Sequence, residues 1–110
     1  PSKSGHHPER FTNLKAYKVL THQHCPEVET FLRGVGEFDG LKFVPLSAPV
    51  DRGILASVMI PLTDDLDDAQ TQDILQDAYG HHPLVRIRKQ SPELRHVRGT
   101  GFCDIAGFSS

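Results

Sequence analysis

The densest group of side chains that could do chemistry is His22-Gln23-His24-Cys25-Pro26-Glu27. Because proline favours the first turn of a helix, His24 should stand just before a helix whose free N–H groups and dipole attract anions. Glu27 follows three residues later, so its carboxylate could reach a ring nitrogen of His24. That contact would fix the imidazole tautomer and leave the other nitrogen free for acid–base catalysis. The same side chains could equally cap the helix or face solvent, and spacing alone leaves both interpretations open.

Three further residues could take part in chemistry, each with a simpler alternative. Cys25 near a helix start could be a thiolate, and Cys103 could be a nucleophile, but small buried cysteines are more common. Arg52 lies in a turn between Asp51 and Gly53, where it could clamp an anion or simply be a surface arginine.

A metal site is a separate hypothesis. The chain has 7 histidines and 2 cysteines, and none follows the spacing of known zinc motifs. A stand-alone metal-binding module therefore remains an alternative function. Its candidate ligands are His6, His7, His22, His24, Cys25, His81, His82 and Cys103.

Length and composition exclude several classes of protein. With 110 residues the chain has room for a single domain, residues 1–110. Its 12 basic and 14 acidic side chains argue against a nucleic-acid partner. The longest apolar stretch, Ile54–Leu62, is interrupted by Ser57 and Pro61 and is too short to span a bilayer, so no membrane partner is expected. Without a signal peptide, the expected location is the cytoplasm.

The hydrophobic pattern predicts two helices. The first covers about residues 26–34, with Val28, Phe31 and Leu32 on its apolar face and Gly34 at its end. The second is expected to be capped by Thr63-Asp64-Asp65 and to end at Gly80. Its apolar stripe would be Thr71, Ile74, Leu75 and Ala78.

The same pattern predicts five strands, of which Ile54–Leu62 is apolar enough to be a central strand covered on both faces. Residues 1–11 should form a loop. The predicted order is β-α-β-β-α-β-β, which indicates an α+β fold with helices on one face of a mixed, mostly antiparallel sheet. The other four strands are Leu14–Thr21, Leu41–Leu46, Leu84–Lys89 and Cys103–Phe108.

Several motifs together resemble one enzyme family. Residues 22–28 are similar to the His-Arg-His-x-Pro-Glu-Ile signature of N-acetyl-γ-glutamyl-phosphate reductase, with Tyr17-Lys18-Val19 ahead of it as in that family. Residues 49–56 resemble its Pro-Met-x-Arg-Gly-Ile-Leu-Ala segment, and residues 97–105 resemble its Val-x-Gly-Thr-Asn-x-Cys-Asp-Ile segment. These matches occur in the family's order, and the set is more specific than any one of them.

The resemblance implies a function in arginine biosynthesis. The family uses NADPH to reduce N-acetyl-glutamyl phosphate to the semialdehyde, through a cysteine nucleophile and a proton-handling histidine. By the resemblance, His24 is the acid–base residue and Glu27 its orienting partner. His22, Tyr17 and Arg52 would then bind substrate.

The family's nucleophile and NADP-binding Rossmann domain match no segment of this sequence. By the resemblance, residues 1–110 are the substrate-binding and dimerisation domain of a longer oxidoreductase, with a fold like the C-terminal domains of glyceraldehyde-phosphate and aspartate-semialdehyde dehydrogenases. The fragment alone would be inactive and would hold no cofactor. Its partners would be the substrate, its own Rossmann domain and a second copy of the chain. A degenerate domain kept only for dimerisation is a further alternative.

Overall fold

The computed structural model describes residues 11–37 and 40–109. Contacts within the chain divide it into two compact units, Pro1–Val50 and Asp51–Ser110. The predicted loop over residues 1–11 lies outside the described residues except for Phe11. Along the described chain the elements are β1 (Lys15–Ala16), α1 (Cys25–Val35), β2 (Leu46–Ser47), α2 (Asp68–Tyr79), β3 (Val85–Ile87), α3 (Leu94–Val97) and β4 (Cys103–Ile105).

In the first unit, β1 pairs with β2 in the antiparallel direction, with Lys15 opposite Ser47. The strand predicted over residues 14–21 is much shorter in the structure. Lys18 and Leu20 have φ angles of 45° and 57°, and left-handed residues interrupt an extended strand. The strand predicted over residues 41–46 is also largely absent, because β2 begins only at Leu46.

The prediction of α1 is confirmed, with different residues at its ends. The helix begins at Cys25, one residue before the predicted start, with His24 as the N-cap and Pro26 in the first turn. The helix continues past Gly34, and the N–H of Gly36 donates to the carbonyl of Leu32 at 3.1 Å. The predicted apolar face is only partly covered, since Phe31 is 72% exposed.

The prediction of α2 is confirmed, but the predicted cap is wrong. Asp67 is the N-cap, and its carboxylate accepts the N–H of Gln70 at 2.7 Å. The Gln70 side chain in turn accepts the N–H of Asp67 at 2.9 Å, which completes a capping box. Gly80 follows the helix as predicted, and its N–H donates to Gln76. Reciprocal bonding explains why Asp67 begins the helix rather than the earlier Thr63–Asp65.

The second unit contains a parallel pair of strands. β3 and β4 pair so that Arg86 lies opposite Asp104, and α2 lies against β3. Beyond β4 the chain leaves the ladder and follows α2, where Gln72 Nε2 donates to the carbonyl of Gly107 at 3.1 Å. The α+β class is therefore confirmed. The described strands form one antiparallel and one parallel ladder, however, and not the single, mostly antiparallel sheet that we predicted.

The central strand predicted over Ile54–Leu62 is wrong for the structure described. These residues form no strand, and Ile54 and Met59 are 90% and 95% exposed. Apolar character on both faces favours a buried strand only where a neighbour supplies a hydrogen-bonding edge, and no described strand pairs with this segment.

The short helix α3 was not predicted at all. Across residues 11–37 and 40–109 no residue is buried when backbone and side chain are taken together, and no helix is long and apolar enough to cross a membrane.

An ion pair between neighbouring strands fixes the register of β3 and β4. The Asp104 carboxylate, with its side chain 1% exposed, accepts Arg86 Nε at 2.6 Å and Arg86 Nη2 at 3.0 Å. Arg88 Nε lies 3.8 Å from the same carboxylate. The Arg86 guanidinium also covers the ring of Phe102, 4.4 Å from its centroid. Because bidentate pairs are directional, one shift of register would separate these groups.

Replacing Asp104 by Asn should lower the free energy of unfolding by about 2 kcal/mol, because two arginines would lose their carboxylate in a partly desolvated setting. Urea unfolding monitored by circular dichroism measures this. Glu93→Gln is the matched control, because the Glu93–Arg95 pair has the same 2.6 Å separation but is exposed. Glu93→Gln should lower the free energy of unfolding by at most about 0.5 kcal/mol. Equal losses in the two variants would contradict the argument.

Candidate functional site

Four aromatic rings meet in the first unit around His22. The His22 ring centroid lies 5.8 Å from that of Tyr17, 4.7 Å from that of His24 and 5.4 Å from that of Phe43. All three contacts are edge-to-face, with interplanar angles between 68° and 73°. This is the favourable geometry for such rings. The structure therefore brings together Tyr17, His22 and His24, which the sequence nominated, and adds Phe43.

The backbone explains why these rings converge. The left-handed residues Lys18 and Leu20 turn the chain back between Tyr17 and His22. The Leu20 N–H donates to the carbonyl of Phe43 at 3.1 Å, which holds the two segments side by side. Non-glycine residues rarely adopt this conformation, and each costs of order 1 kcal/mol, so the ladder and the ring contacts must hold the turn in place.

The surroundings of His22 favour the neutral form of its imidazole. Its Nδ1 accepts the backbone N–H of His24 at 3.2 Å, so this nitrogen carries no proton. Partial burial lowers the pKa of His22 below its ordinary value of 6.5, and the nearby charges of His24 and Lys18 lower it further. Each of these effects disfavours a second proton on the ring.

His24 is placed differently from His22. It is the N-cap of α1, yet its side chain makes no capping hydrogen bond, and the residue is exposed. Within the described chain, its ring nitrogens have no hydrogen-bond partner, so the imidazole can exchange protons with a bound molecule. Glu27 lies in the first turn of the helix, but no hydrogen bond or ion pair to His24 forms there. The contact that we expected between these two side chains is therefore not made.

Arg52 belongs to the second unit. It is exposed, in a bend next to Gly53, which has a φ of 98°. Among the described residues Arg52 forms no ion pair. Its neighbour Asp51 does form one, with Arg98. The guanidinium of Arg52 is therefore available to an anion.

Among the residues that the structure describes, the two cysteines form no metal site with the histidines. Cys25 is half-buried, Cys103 is exposed, and both are free thiols. Over residues 11–37 and 40–109, no group of three or more His, Cys, Asp or Glu side chains is arranged to hold a metal ion. His6 and His7, which the metal hypothesis included, lie outside the described residues.

The chain has two Gly-x-Gly segments, at residues 34–36 and 99–101, and neither fits the binding site of a dinucleotide cofactor. Gly34 and Gly36 lie at the end of α1, whereas a pyrophosphate site needs glycines at the start of a helix. Gly99 and Gly101 lie between α3 and β4, and no helix follows them in the described chain. Neither segment can therefore supply the pyrophosphate site of NADP.

The sequence did not nominate two residues that act on His22, namely Phe43 and Lys18. Phe43 supplies an aromatic face to His22, and Lys18 contributes charge to it. Phe43 lies within the predicted strand Leu41–Leu46, and nothing in that pattern marked it as a site residue. Its distance along the chain from His22 gave no sign of the contact, because that contact depends on the left-handed turn.

Comparison with known proteins gives a consistent result. The whole chain, residues 1–110, matches the family described as semialdehyde dehydrogenase, dimerisation domain. It is 39% identical to an N-acetyl-gamma-glutamyl-phosphate reductase of Methanocaldococcus jannaschii, over 98% of this chain and 32% of that protein. It is 37% identical to the protein of the same name from Streptococcus mutans, again over 98% and 32%. A Brevibacillus brevis protein of that name is 38% identical over 92% and 30%. The resemblance inferred from the motifs is confirmed.

Acidification should destabilise the chain through His22. The folded state lowers the pKa of this residue, so below an unfolded value near 6.5 the unfolded state binds more protons than the folded state. The free energy of unfolding should therefore fall as the pH drops through 6.5 towards the folded pKa. Above pH 6.5 the contribution of His22 to stability should be complete.

The slope of stability against pH can be measured from urea midpoints between about pH 8 and pH 5. His22→Gln should flatten the slope, because it removes the titrating group. His81→Gln, at an exposed histidine of the other unit, should leave it unchanged. An identical slope in His22→Gln and in the unmodified chain would contradict the assignment.

Proposed function

Because the chain belongs to the semialdehyde dehydrogenase dimerisation-domain family, we propose that it is the acid–base and oligomerisation part of an N-acetyl-γ-glutamyl-phosphate reductase. The whole enzyme would reduce N-acetyl-glutamyl phosphate to the semialdehyde and release phosphate, a step of arginine biosynthesis. The chain spans 32% of the length of two relatives of that name, so this activity is proposed for a longer protein. The observation that carries the proposal is the uncommitted imidazole of His24 at the start of α1.

His24 is the proposed acid–base residue. A thiol must lose its proton to attack the acyl carbon and displace phosphate, and the thiolate released when the aldehyde forms must regain one. An exposed imidazole without a capping bond can accept the first proton and donate the second. The nearby helix N-terminus favours negative charge, which supports binding of a phosphate or carboxylate beside the ring. Glu27 is proposed to orient His24 once substrate is bound, by a rotation within the first turn.

His22 and Tyr17 are the proposed substrate-binding residues. With Nδ1 accepting the His24 N–H, the proton of the neutral His22 ring lies on Nε2, which can donate to a substrate oxygen. The Tyr17 hydroxyl can donate a second hydrogen bond. Edge-to-face packing restricts the rings, and restricted donors lose less entropy on binding.

Arg52 is the proposed anion-binding residue of the second unit. The substrate carries carboxylate and phosphoryl oxygens, and a guanidinium binds such groups with two parallel hydrogen bonds. The lack of an ion pair at Arg52 among the described residues supports this role. His24 and Arg52 are assigned independently, each from the geometry of its own unit.

The cofactor is proposed to be NADP, bound by another domain of the longer protein. Nicotinamide would supply the hydride for the reduction. The contribution of this chain to the reaction is proposed to be binding substrate and moving protons.

We also propose that the chain assembles with a second copy of itself. The family description as a dimerisation domain supports this. The exposure of large apolar side chains such as Ile54, Met59 and Val58 is also consistent with an association that would cover them.

In the longer reductase, His24→Asn should lower kcat by about 10²- to 10⁴-fold, because Asn cannot exchange a proton. Steady-state reduction of the acyl phosphate, followed by cofactor absorbance, measures this. The matched control is His81→Asn, an exposed histidine in a different unit, which should keep full activity. An undiminished kcat in His24→Asn would exclude the proposed role.

A further inference from the structure

We propose that Asp51 is a positioning residue that anchors the turn carrying Arg52 to α3, through its ion pair with Arg98. This inference rests on the anion-binding role proposed for Arg52. It assigns a function to two charged residues that stand at unspecified (x) positions of the motifs, and it explains how an exposed arginine in a turn can be held in place for an anion.

The anchor is a contact between segments distant in the chain. Asp51 Oδ1 lies 3.4 Å from Nη1 of Arg98. Arg98 is the C-cap of α3, and its N–H donates to the carbonyl of Leu94 at 3.0 Å. The side chain of Arg98 therefore extends from the end of a hydrogen-bonded helical turn. Asp51 and Arg52 are adjacent, so whatever fixes the first restricts the backbone of the second.

A second contact holds the same turn from its other side. Gly53 adopts a φ of 98°, a conformation that disfavours side chains. A Cβ at this position would overlap Cδ1 of Leu94. The turn therefore packs against α3 at Gly53 and forms an ion pair with its C-cap at Asp51. These two contacts lie one residue on each side of Arg52.

α3 itself is fixed to the strands. Arg86 Nη2 donates to the carbonyl of His96 at 3.3 Å, while the same guanidinium is held by the buried Asp104 carboxylate. A continuous set of polar contacts thus runs from β4 through β3 and α3 to the turn of Arg52. This continuity makes α3 a fixed support for the turn.

Neutralising Asp51 tests the proposal, because Coulomb attraction and loss of the anchor predict opposite changes in the affinity for an anion. Asp51, Arg52 and Arg98 together carry one net positive charge. Neutralising Asp51 raises that charge by one, so attraction alone would strengthen anion binding. Loss of the anchor would instead let Arg52 sample more conformations and weaken binding.

The experiment is a titration of this 110-residue chain with inorganic phosphate, followed by ¹⁵N NMR at the Arg52 amide and Nε. We expect Asp51→Asn to weaken phosphate binding about threefold, the range typical of an exposed ion pair. Asp51→Glu should restore most of the affinity because it keeps the carboxylate. Asp65→Asn is the matched control, an exposed aspartate of the same unit that changes charge equally and should not weaken binding.

Two further variants separate this inference from the function on which it rests. Arg98→Gln should weaken binding, and adding Asp51→Asn to it should weaken binding no further, because both changes break one contact. Phosphate binding by Asp51→Asn that equals or exceeds that of the unmodified chain would overturn the anchor and leave Arg52 in its role. Unchanged binding in Arg52→Gln would overturn the role of Arg52 itself, and the anchor with it.

Discussion

The bidentate pair between Asp104 and Arg86 is the constraint on which the second unit depends. Asp104 is almost completely removed from solvent, and the pair fixes the register of two parallel strands only three residues long. Parallel strands cannot be joined by a tight turn, so the chain between them must cross over, and α3 lies in that crossover. Arg86 also contacts α3 through the carbonyl of His96. One guanidinium therefore sets both the strand register and the position of the helix.

The first unit is organised by a different physical effect. No buried ion pair lies at its centre in the described residues, and the His22 ring instead packs edge-to-face against three neighbours. Its hydrogen bond from the His24 N–H links the ring cluster to the start of α1. His22 accepts a hydrogen bond at Nδ1, whereas the exposed ring of His24 has no hydrogen-bond partner among the described residues, and this contrast supports the separate tasks proposed for the two imidazoles. Their environments differ although the residues are only two positions apart.

Features that depend on neighbouring residues could be predicted from the sequence, and features that depend on distant contacts could not. The position of Pro26 in the first turn of α1 and that of Gly80 just after α2 follow from local chemistry, and both are confirmed. The left-handed turn at Lys18 has no signal in residue type, because lysine rarely adopts it. The motifs nominated His22 and His24, whereas Phe43 reaches His22 only through that turn. Predicting a central strand at Ile54–Leu62 required a pairing partner that sequence periodicity cannot supply.

The exposed segment Ile54–Leu62 also affects how the isolated chain behaves at high concentration. A short, uncharged run rich in β-forming residues has the composition of segments that stack into cross-β assemblies. Pro61 has no N–H group, so it cannot donate to a growing ladder and limits such stacking to the residues before it. The aspartates at 64 and 65 add repulsion just beyond it. Together the proline and the two acids are expected to limit fibre growth from this segment.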